Sequence, residues 1–236
     1  MKTLLQIQDL RVTKGLFSVS GINLSLEDND YLILLGPTGS GKTILLRTIA
    51  GFNVPDSGRI ILEGNDITGI PAYRRGIVYL SQHNDLFPHL NVYDNIAFGL
   101  RFNGMTSWDI SQRIGKYIEI FGLQNLVRRD VRTLSGGEGK KVMMARALAV
   151  HPRILLLDEP LGMLDHNARF SLLEKFMEVH SKLNLTIIQV SHHREEARFV
   201  NQKAAVLNMG RIEQTGSVEE VFSKPVNVFV KDFIGK

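Results

Sequence analysis

The chain has 236 residues, 44% of them hydrophobic, and this length allows one large α/β domain with a sizeable core. It contains no cysteine, which excludes a disulfide framework, a zinc-thiolate site and a cysteine nucleophile, and fits a reducing compartment. The formal net charge is only +4 and charges of both signs are spread along the chain, so no polybasic block indicates nucleic acid binding.

The sequence offers no signal peptide pattern and no membrane-spanning run. Residues 1–15 alternate apolar with polar side chains and lack the uninterrupted apolar stretch that a signal peptide requires. The longest apolar runs, at 31–35 and 154–157, fall far short of the ~20 residues that span a bilayer. We therefore expect a cytoplasmic protein whose association with a membrane is peripheral.

The first part of the chain predicts strands on either side of a glycine-rich loop. Residues 5–12 and 22–26 alternate with a period of two, which is typical of half-buried antiparallel strands in a small β layer. YLILL at 31–35 suits a strand buried on both faces, and the periodic segment at 44–52 predicts a helix after the loop. RIILEG, at 59–64, predicts a further strand.

The rest of the chain predicts a helical insert and then alternating strands and helices. Residues 91–132 have a helical pattern, in which Thr106 and Asp109 form a candidate capping box. This stretch is the best candidate for an inserted helical subdomain over about 84–134. From residue 154 onward strand patterns alternate with helical ones, which predicts βαβ units and a parallel sheet core.

The most specific motif is GPTGSGKT at 36–43, between the predicted buried strand and the predicted helix. Its glycines let backbone N–H groups turn toward phosphate oxygens, and the positive end of the following helix points to the same place. Lys42 would reach the β and γ phosphates of ATP, and Thr43 is placed to give its hydroxyl to a bridging magnesium ion. The residues predicted to bind the nucleotide here are Gly36, Pro37, Thr38, Gly39, Ser40, Gly41, Lys42 and Thr43.

Two adjacent carboxylates follow the apolar run in ILLLDEP, residues 154–160. Ligands bind at the carboxyl ends of strands in open α/β sheets, so acids at this place need a cation or a proton. Asp158 would hold magnesium through water, and Glu159 would accept a proton from the attacking water or orient it. An acidic pair alone is more often a solvated turn, so this assignment depends on the phosphate loop.

LSGGE, at 134–138, is a second glycine-rich helix start, with Ser135 as the expected N-cap before Gly136 and Gly137. A chain that binds one nucleotide has no obvious use for two such sites, unless the second covers the phosphates of a neighbour's nucleotide. Standing alone, the motif would be interpreted as an ordinary glycine-rich cap.

The order of these motifs resembles the ATP-binding subunits of ABC transporters, importer type, over nearly the whole chain. The resemblance implies an α/β P-loop NTPase with a mixed or parallel sheet core, an N-terminal antiparallel β layer and the inserted helical subdomain. It implies a single domain over 1–236, with no separate C-terminal regulatory domain. The expected activity is ATP hydrolysis coupled to transport, with ATP and Mg²⁺ as cofactors. The expected partners, at the cytoplasmic face of the membrane, are permease subunits, a second copy of the chain and, indirectly, a solute-binding protein.

The resemblance also implies roles for residues outside the phosphate loop. Gln82, in YLSQ, matches a glutamine that senses magnesium and the attacking water. His192, preferred over His193, matches a histidine whose neutral imidazole hydrogen-bonds the γ phosphate. Asp165, in GMLD, matches a loop that joins the two active sites of a head-to-tail dimer.

Two segments depart from the pattern of this family. By similarity Ser135 and Gly137 would contact the γ phosphate held by the other copy, yet GKK at 139–141 puts lysine where the family has a bidentate arginine. Slower hydrolysis or a weaker dimer is the expectation. Phe17 is the substitute for the family's adenine-stacking aromatic, and a core position is an equal alternative for it.

The transported solute is suggested only by the amino-acid sequence of several segments. LGPTGSGKT, IAGFNVPDSGRI, LFPHLNVYDNIAFGLR and EEVFSKP are most similar to the molybdate or tungstate importer group, with iron, polyamine and sulfate importers close behind. LFPHL, at 86–90, is where the family receives a short helix of its membrane partner, unless these residues are subdomain core. A soluble P-loop ATPase not tied to transport is the alternative function.

Overall fold

The structure is a computed structural model that describes residues 3–82, 86–102, 104–162 and 164–235. Its backbone groups into two compact units. The first consists of Met1–Tyr79, Arg153–Glu159 and Val179–Lys236, and the second of Leu80–Pro152 and Pro160–Glu178. The helical subdomain predicted over 84–134 begins on residues 84 and 85, which lie outside the described residues, and its boundaries stay a prediction.

Strands dominate the first part of the chain, helices follow over 92–149, and strands and helices alternate over 154–208. The strands are β1 (Thr3–Lys14), β2 (Phe17–Glu27), β3 (Tyr31–Leu35), β4 (Ser57–Leu62), β5 (Asn65–Asp66), β6 (Ile77–Leu80), β7 (Ile154–Asp158), β8 (Thr186–Ser191), β9 (Lys203–Asn208) and β10 (Arg211–Ser217). The helices are α1 (Lys42–Ala50), α2 (Val92–Ala97), α3 (Ser107–Ile120), α4 (Gly136–Ala149), α5 (His166–Leu183), α6 (Arg194–Val200), α7 (Val218–Ser223) and α8 (Val228–Gly235). In the described ranges none of these helices combines the length and the apolar character needed to span a bilayer.

An N-terminal antiparallel layer is present, as the alternating pattern predicts. Its four strands have the order β2-β1-β4-β5, and β1 pairs antiparallel with both β2 and β4. Leu5, Ile7 and Leu10 of β1 point into the core, whereas the polar side chains between them are mostly exposed. Period-two alternation therefore gives a sheet with one buried face.

The central sheet has six strands in the order β10-β9-β3-β8-β7-β6. β3 pairs parallel with β8 and β9, β7 pairs parallel with β8, and β10 pairs antiparallel with β9. All residues of β3, β7 and β8 are buried, as expected for parallel strands covered on both faces. The parallel pairing brings the carboxyl ends of these three strands to one edge, and the motifs at 36–43, 158–159 and 192 follow them there.

The carboxyl end of α1 is held by the buried side chain of Arg75. Its guanidinium donates to the carbonyls of Thr48 and Ile49, at 3.0 and 2.8 Å, in the last turn of α1. It also donates to the carbonyls of Thr68 and Ile70, at 2.9 and 2.7 Å. A cation at this end satisfies carbonyls that lack helical partners and opposes the negative end of the helix dipole. Arg75 thus fixes the helix whose other end carries the phosphate loop.

The second unit is built around α4, which packs against α2 and α3. The predicted capping box of α3 is confirmed, since the Thr106 side chain accepts from the Asp109 N–H and the Asp109 side chain reaches back to the N-cap. Ile110, Ile114 and Tyr117 are buried along one face of α3. The N-terminal turn of α3 is therefore fixed by its own sequence.

Candidate functional site

The loop at 36–43 joins β3 to α1, and its shape requires glycine at two positions. A Cβ on Gly36 would collide with the carbonyl oxygen of Leu207 on the neighbouring strand. Gly41 is the N-cap of α1 with φ 105°, and a Cβ there would lie 2.7 Å from Val19 Cγ2. The close packing of the chain and the left-handed backbone at Gly41 together exclude larger residues.

Lys42 is buried and turns its ammonium back onto the loop. Its Nζ donates to the carbonyls of Gly36, at 2.8 Å, and Pro37, at 2.9 Å. Burial lowers the pKa of Lys42, while the nearby carboxylates of Glu159 and Asp158 raise it. Carbonyl oxygens are weaker partners for an ammonium than phosphate oxygens, so a phosphate would draw Lys42 away from them.

Ser40 lies at the turn of the loop, with its hydroxyl buried and no hydrogen-bond partner for it among the residues that the structure describes. The backbone around it is satisfied, since its carbonyl accepts from the Gly210 N–H at 2.9 Å. Neighbouring Thr38 and Gly39 are exposed. A buried hydroxyl without a partner is costly, so Ser40 Oγ fits a ligand that offers anionic oxygens to this loop.

Asp158 ends β7 with its carboxylate almost completely buried, at 5% exposure. Thr43 Oγ1 donates to its Oδ1 at 3.0 Å, and Tyr79 OH donates to its Oδ2 at 2.7 Å. Burial raises the pKa of Asp158, and the two hydrogen bonds lower it. The sequence did not single out Tyr79, because a tyrosine in an apolar strand pattern is usually core.

A magnesium ion fits the pair of Thr43 and Asp158. A hydroxyl and a carboxylate are hard oxygen ligands, and Mg²⁺ in such sites keeps water and substrate phosphates as its other ligands. In the described part of the chain no group of three or more histidine and acidic side chains could hold a metal alone.

Glu159 and His192 lie beside each other at the same sheet edge. Glu159 directly follows β7 with φ 48°, a left-handed conformation that costs a non-glycine residue about 1 kcal/mol. His192 Nδ1 lies 3.5 Å from Glu159 Oε1, and the His192 side chain is 44% exposed. His193 donates its backbone N–H to Ser191 Oγ at 2.9 Å, and its ring centroid lies 4.0 Å from that of His192. Of the two histidines, the structure thus brings His192 to the carboxylate.

Phe17 is half-buried at the start of β2 and packs against the hydrophobic core. Its ring carbon Cε1 lies 3.0 Å from where a Cβ on Gly41 would stand. The preceding Leu16 is fully exposed. Packing thus favours the core alternative for Phe17, and its role as an adenine platform stays a prediction.

The LSGGE motif begins α4, in the second unit. Ser135 is the N-cap, its side chain accepting from the Glu138 N–H while the Glu138 side chain returns to the Ser135 N–H. Ser135 and Gly136 are exposed and Gly137 is half-buried. Within the described ranges, apart from the chain neighbours and the nearby backbone of α4 itself, no heavy atom comes within 4 Å of a Cβ built on Gly136 or Gly137. Packing within the chain therefore gives no reason for glycine at these two positions.

Gln82 and Asp165 also lie in the second unit. The backbone carbonyl of Gln82 accepts a hydrogen bond from the ammonium of Lys140, a buried residue of α4. Asp165 precedes α5, where its carboxylate accepts from the Ala168 N–H at 2.9 Å. Met163, part of the predicted loop, lies outside the described residues. The roles of Gln82 and Asp165 stay predictions.

Taken together, the first unit presents an anion-binding loop at a helix N-terminus, a hydroxyl–carboxylate pair suited to Mg²⁺, and a carboxylate beside a histidine. The parallel sheet carries all three at the carboxyl ends of its strands, where ligands of open α/β sheets bind. This combination defines a P-loop nucleotide-binding domain.

Comparison with known sequences narrows this class to one family. The profile of the ABC transporter family matches residues 19–162. The spermidine/putrescine import ATP-binding protein PotA of Nitrosomonas europaea is 42% identical over 234 residues, which are 99% of this chain and 65% of that protein. The molybdate/tungstate import ATP-binding protein WtpC of Thermococcus kodakarensis is 42% identical over 219 residues, 93% of this chain and 66% of that protein. The chain thus spans about two thirds of the length of these relatives.

Solved structures with a similar fold also belong to ABC transporter proteins. CbiO1 from Clostridium perfringens, part of the ABC transporter complex cbiONQ, has a TM-score of 0.87 at 27% identity, over 95% of this chain and 92% of that one. The ATP-binding cassette MJ1267 in its ADP conformation has a TM-score of 0.84 at 24% identity, covers both chains fully and shows the fold alone. The chain belongs to the ABC transporter family, as its motif order predicted, and its fold is that of the family's ATP-binding cassettes.

Proposed function

We propose that this chain binds and hydrolyses ATP as the nucleotide-binding subunit of an importer. The observation that carries this proposal is the loop at 36–43. Among the residues that the structure describes, its buried Ser40 Oγ has no partner, and the Lys42 ammonium donates to the carbonyls of Gly36 and Pro37. Both groups fit the β and γ phosphates of a nucleotide. The names of the relatives, import ATP-binding proteins, support the same function.

The mechanism follows from which groups change partners. On nucleotide binding, Lys42 exchanges the carbonyls of Gly36 and Pro37 for phosphate oxygens, which are stronger acceptors. Thr43 and Asp158 are the residues that would hold Mg²⁺, through the hydroxyl oxygen of Thr43 and the carboxylate of Asp158. The bound ion supplies neutralisation of the phosphate charge. These changes position the γ phosphate at the carboxyl edge of the sheet.

Hydrolysis then requires a base and a donor near the γ phosphate. Glu159, fixed at the end of β7, accepts a proton from the attacking water or orients it. His192, next to it, donates a hydrogen bond to a γ-phosphate oxygen from its neutral imidazole. For Gln82, the role that the motif order suggests is to sense the magnesium ion and the attacking water.

A second copy of the chain supplies the LSGGE motif to each nucleotide. Glycine in the first turn of α4 costs helix stability, and the chain's own packing does not use the space that it leaves. Ser135, Gly136 and Gly137 would instead admit the γ phosphate bound to the other copy. Asp165, before α5, lies in the loop that connects the two sites of this head-to-tail dimer.

Permease subunits of a membrane complex are the proposed partners. In the first unit Phe52, Val54 and Tyr73 are 54, 78 and 81% exposed. A partner protein would cover this exposed apolar surface. In the second unit the ring of Phe87 packs on Phe98, with centroids 4.3 Å apart, which supports the core alternative for that residue. Pro88 and His89 next to it are exposed and remain available for docking.

Molybdate or tungstate is the first candidate for the imported solute, and a polyamine is the second. The segments LGPTGSGKT and EEVFSKP carry the first assignment, which the WtpC relatives support. The PotA relatives support the second, at the same 42% identity. Because the solute meets the binding protein and the permease, the nucleotide-binding chain itself does not select between them.

Elemental mass spectrometry of cells lacking this chain tests the first candidate, with labelled spermidine uptake as a parallel assay for the second. The cells that lack the chain are complemented with the wild-type chain or with the Glu159→Gln variant. A fall in molybdenum and tungsten content that only the wild type restores supports oxyanion import. A deficit confined to spermidine uptake favours the polyamine candidate. Normal values in both assays would contradict both solute assignments.

A further inference from the structure

The carboxylate of Asp158 is held at both of its oxygens. Thr43 Oγ1 donates to Oδ1 at 3.0 Å, from the first turn of α1. Tyr79 OH donates to Oδ2 at 2.7 Å, from β6. The two donors therefore fix the plane of the carboxylate, since each of them engages a different oxygen.

The two donors are not equivalent toward a metal ion. The Thr43 hydroxyl is itself a magnesium ligand of the proposed function and leaves Oδ1 when the ion binds. A tyrosine hydroxyl is a poor ligand for Mg²⁺, and Tyr79 bonds Oδ2, whereas Thr43 bonds Oδ1. The bond of Tyr79 to Oδ2 would therefore persist when the ion binds. Oδ1 is then the oxygen that becomes free to face the ion and its water.

Tyr79 is well placed to hold this geometry. Its half-buried ring packs against the hydrophobic core and meets the ring of Phe52 edge-on, with centroids 5.5 Å apart. Such contacts restrict the side-chain torsions, so the hydroxyl is presented from a fixed point. Asp158 is 5% exposed, and little water can replace a hydrogen bond at this position.

We propose that Tyr79 is a positioning residue for the magnesium site, whose hydroxyl holds Oδ2 of Asp158 so that Oδ1 faces the ion. This inference rests on the proposed ATP-binding function and deepens it. Partners that orient a metal ligand typically contribute 10–100-fold to metal affinity. Tyr79 should therefore act on affinity for the metal and leave affinity for the metal-free nucleotide unchanged.

The test uses Tyr79→Phe, which removes one oxygen and keeps the ring and its contact with Phe52. Affinity for ATP is measured in EDTA, and affinity for Mn²⁺ in the presence of ATP is measured by the loss of the free Mn²⁺ paramagnetic resonance signal. We expect Mn²⁺ affinity to fall about 10-fold, with ATP affinity in EDTA within about twofold of the wild type. Tyr73→Phe, at an 81% exposed tyrosine of the same unit, is the matched control and should change neither value.

Mn²⁺ affinity equal to that of the wild type in Tyr79→Phe would overturn the inference. An equal loss of affinity for Mn²⁺ and for ATP in EDTA would also overturn it. Such a result would indicate general damage to the phosphate loop and not a specific effect on the metal site. Tyr79→Met also removes the hydroxyl but packs differently from phenylalanine. It should lower the affinity for Mn²⁺ by a similar factor, which separates the effect of the hydroxyl from effects of packing. If the wild type itself shows no ATP-dependent Mn²⁺ binding, the proposed function fails as well.

Discussion

At the scale of single residues, Asp158 shows how a site can oppose stability. Its carboxylate is buried, and this burial raises its pKa despite the hydrogen bonds from Tyr79 and Thr43. A carboxyl group whose pKa is higher in the folded than in the unfolded chain destabilises the fold once pH exceeds the unfolded value, because folding then disfavours the charge. At neutral pH the ligand-free chain therefore carries a cost at this position.

We predict that Asp158→Asn raises the melting temperature of the ligand-free chain at pH 7, by about 2 °C or more. The amide removes the buried charge and can still accept a hydrogen bond. Differential scanning calorimetry without nucleotide measures the effect, with Asp28→Asn, at an exposed position, as the control. A lower melting temperature for Asp158→Asn would mean that the two hydrogen bonds outweigh the desolvation of the carboxylate.

At the scale of elements, we expect a substitution in the first turn of α4 to raise the stability of the chain and to lower its ATPase activity. Gly137 has helical backbone geometry and free space at its Cβ position. Gly137→Ala should stabilise the chain by about 0.5 kcal/mol, because alanine has the higher helix propensity. The same methyl would intrude on the nucleotide of the other copy, and we expect ATP turnover to fall about 10-fold or more.

Urea unfolding measures the expected gain in stability, and a steady-state ATPase assay on the same preparation measures the expected loss of turnover. Gly115→Ala, in the middle of α3 and with equally free space, is the matched control. It should gain stability without loss of turnover. Unchanged turnover in Gly137→Ala would remove the reason we give for glycine in this motif.

The carboxyl end of α1 provides a prediction about stability. Arg75→Met removes the guanidinium that donates to four carbonyls, of which only the Thr48 carbonyl keeps another donor among the described residues, the Gly51 N–H. We expect the free energy of unfolding to fall by about 3 kcal/mol. Arg74→Met, at the exposed neighbour, should change it by less than about 0.5 kcal/mol. Denaturant titration that finds equal effects for the two variants would contradict the role of Arg75.

The elements also show what could be predicted from sequence. Local patterns sufficed for the buried strand β3, the capping box of Thr106 and the cap at Ser135, because short-range chemistry determines them. β10 was not predicted, since its mixed burial gives no clear periodicity. Tyr79 and Arg75 were missed for a different reason. Their roles depend on partners far away in the sequence, Asp158 for Tyr79 and the α1 carbonyls for Arg75, which no local pattern reveals.

At the scale of the whole molecule, the proposed function requires two copies of the chain for each pair of nucleotides. The loop at 36–43 offers groups that fit phosphate, and the exposed motif at 134–138 offers space that the chain does not use. An active site made from two copies should turn over faster as the copies associate. Specific activity should therefore rise with protein concentration until dimers dominate.

The most direct test is the specific ATPase activity of the purified chain with MgATP, measured across a range of protein concentrations for the wild type and for Glu159→Gln. We predict activity that rises with wild-type concentration, and at least about a 100-fold loss in Glu159→Gln at every concentration, because the general base is removed. Wild-type turnover in Glu159→Gln would contradict the assignment of Glu159. The absence of any turnover in the wild type at every concentration would contradict the claim that this chain is an ATPase on its own.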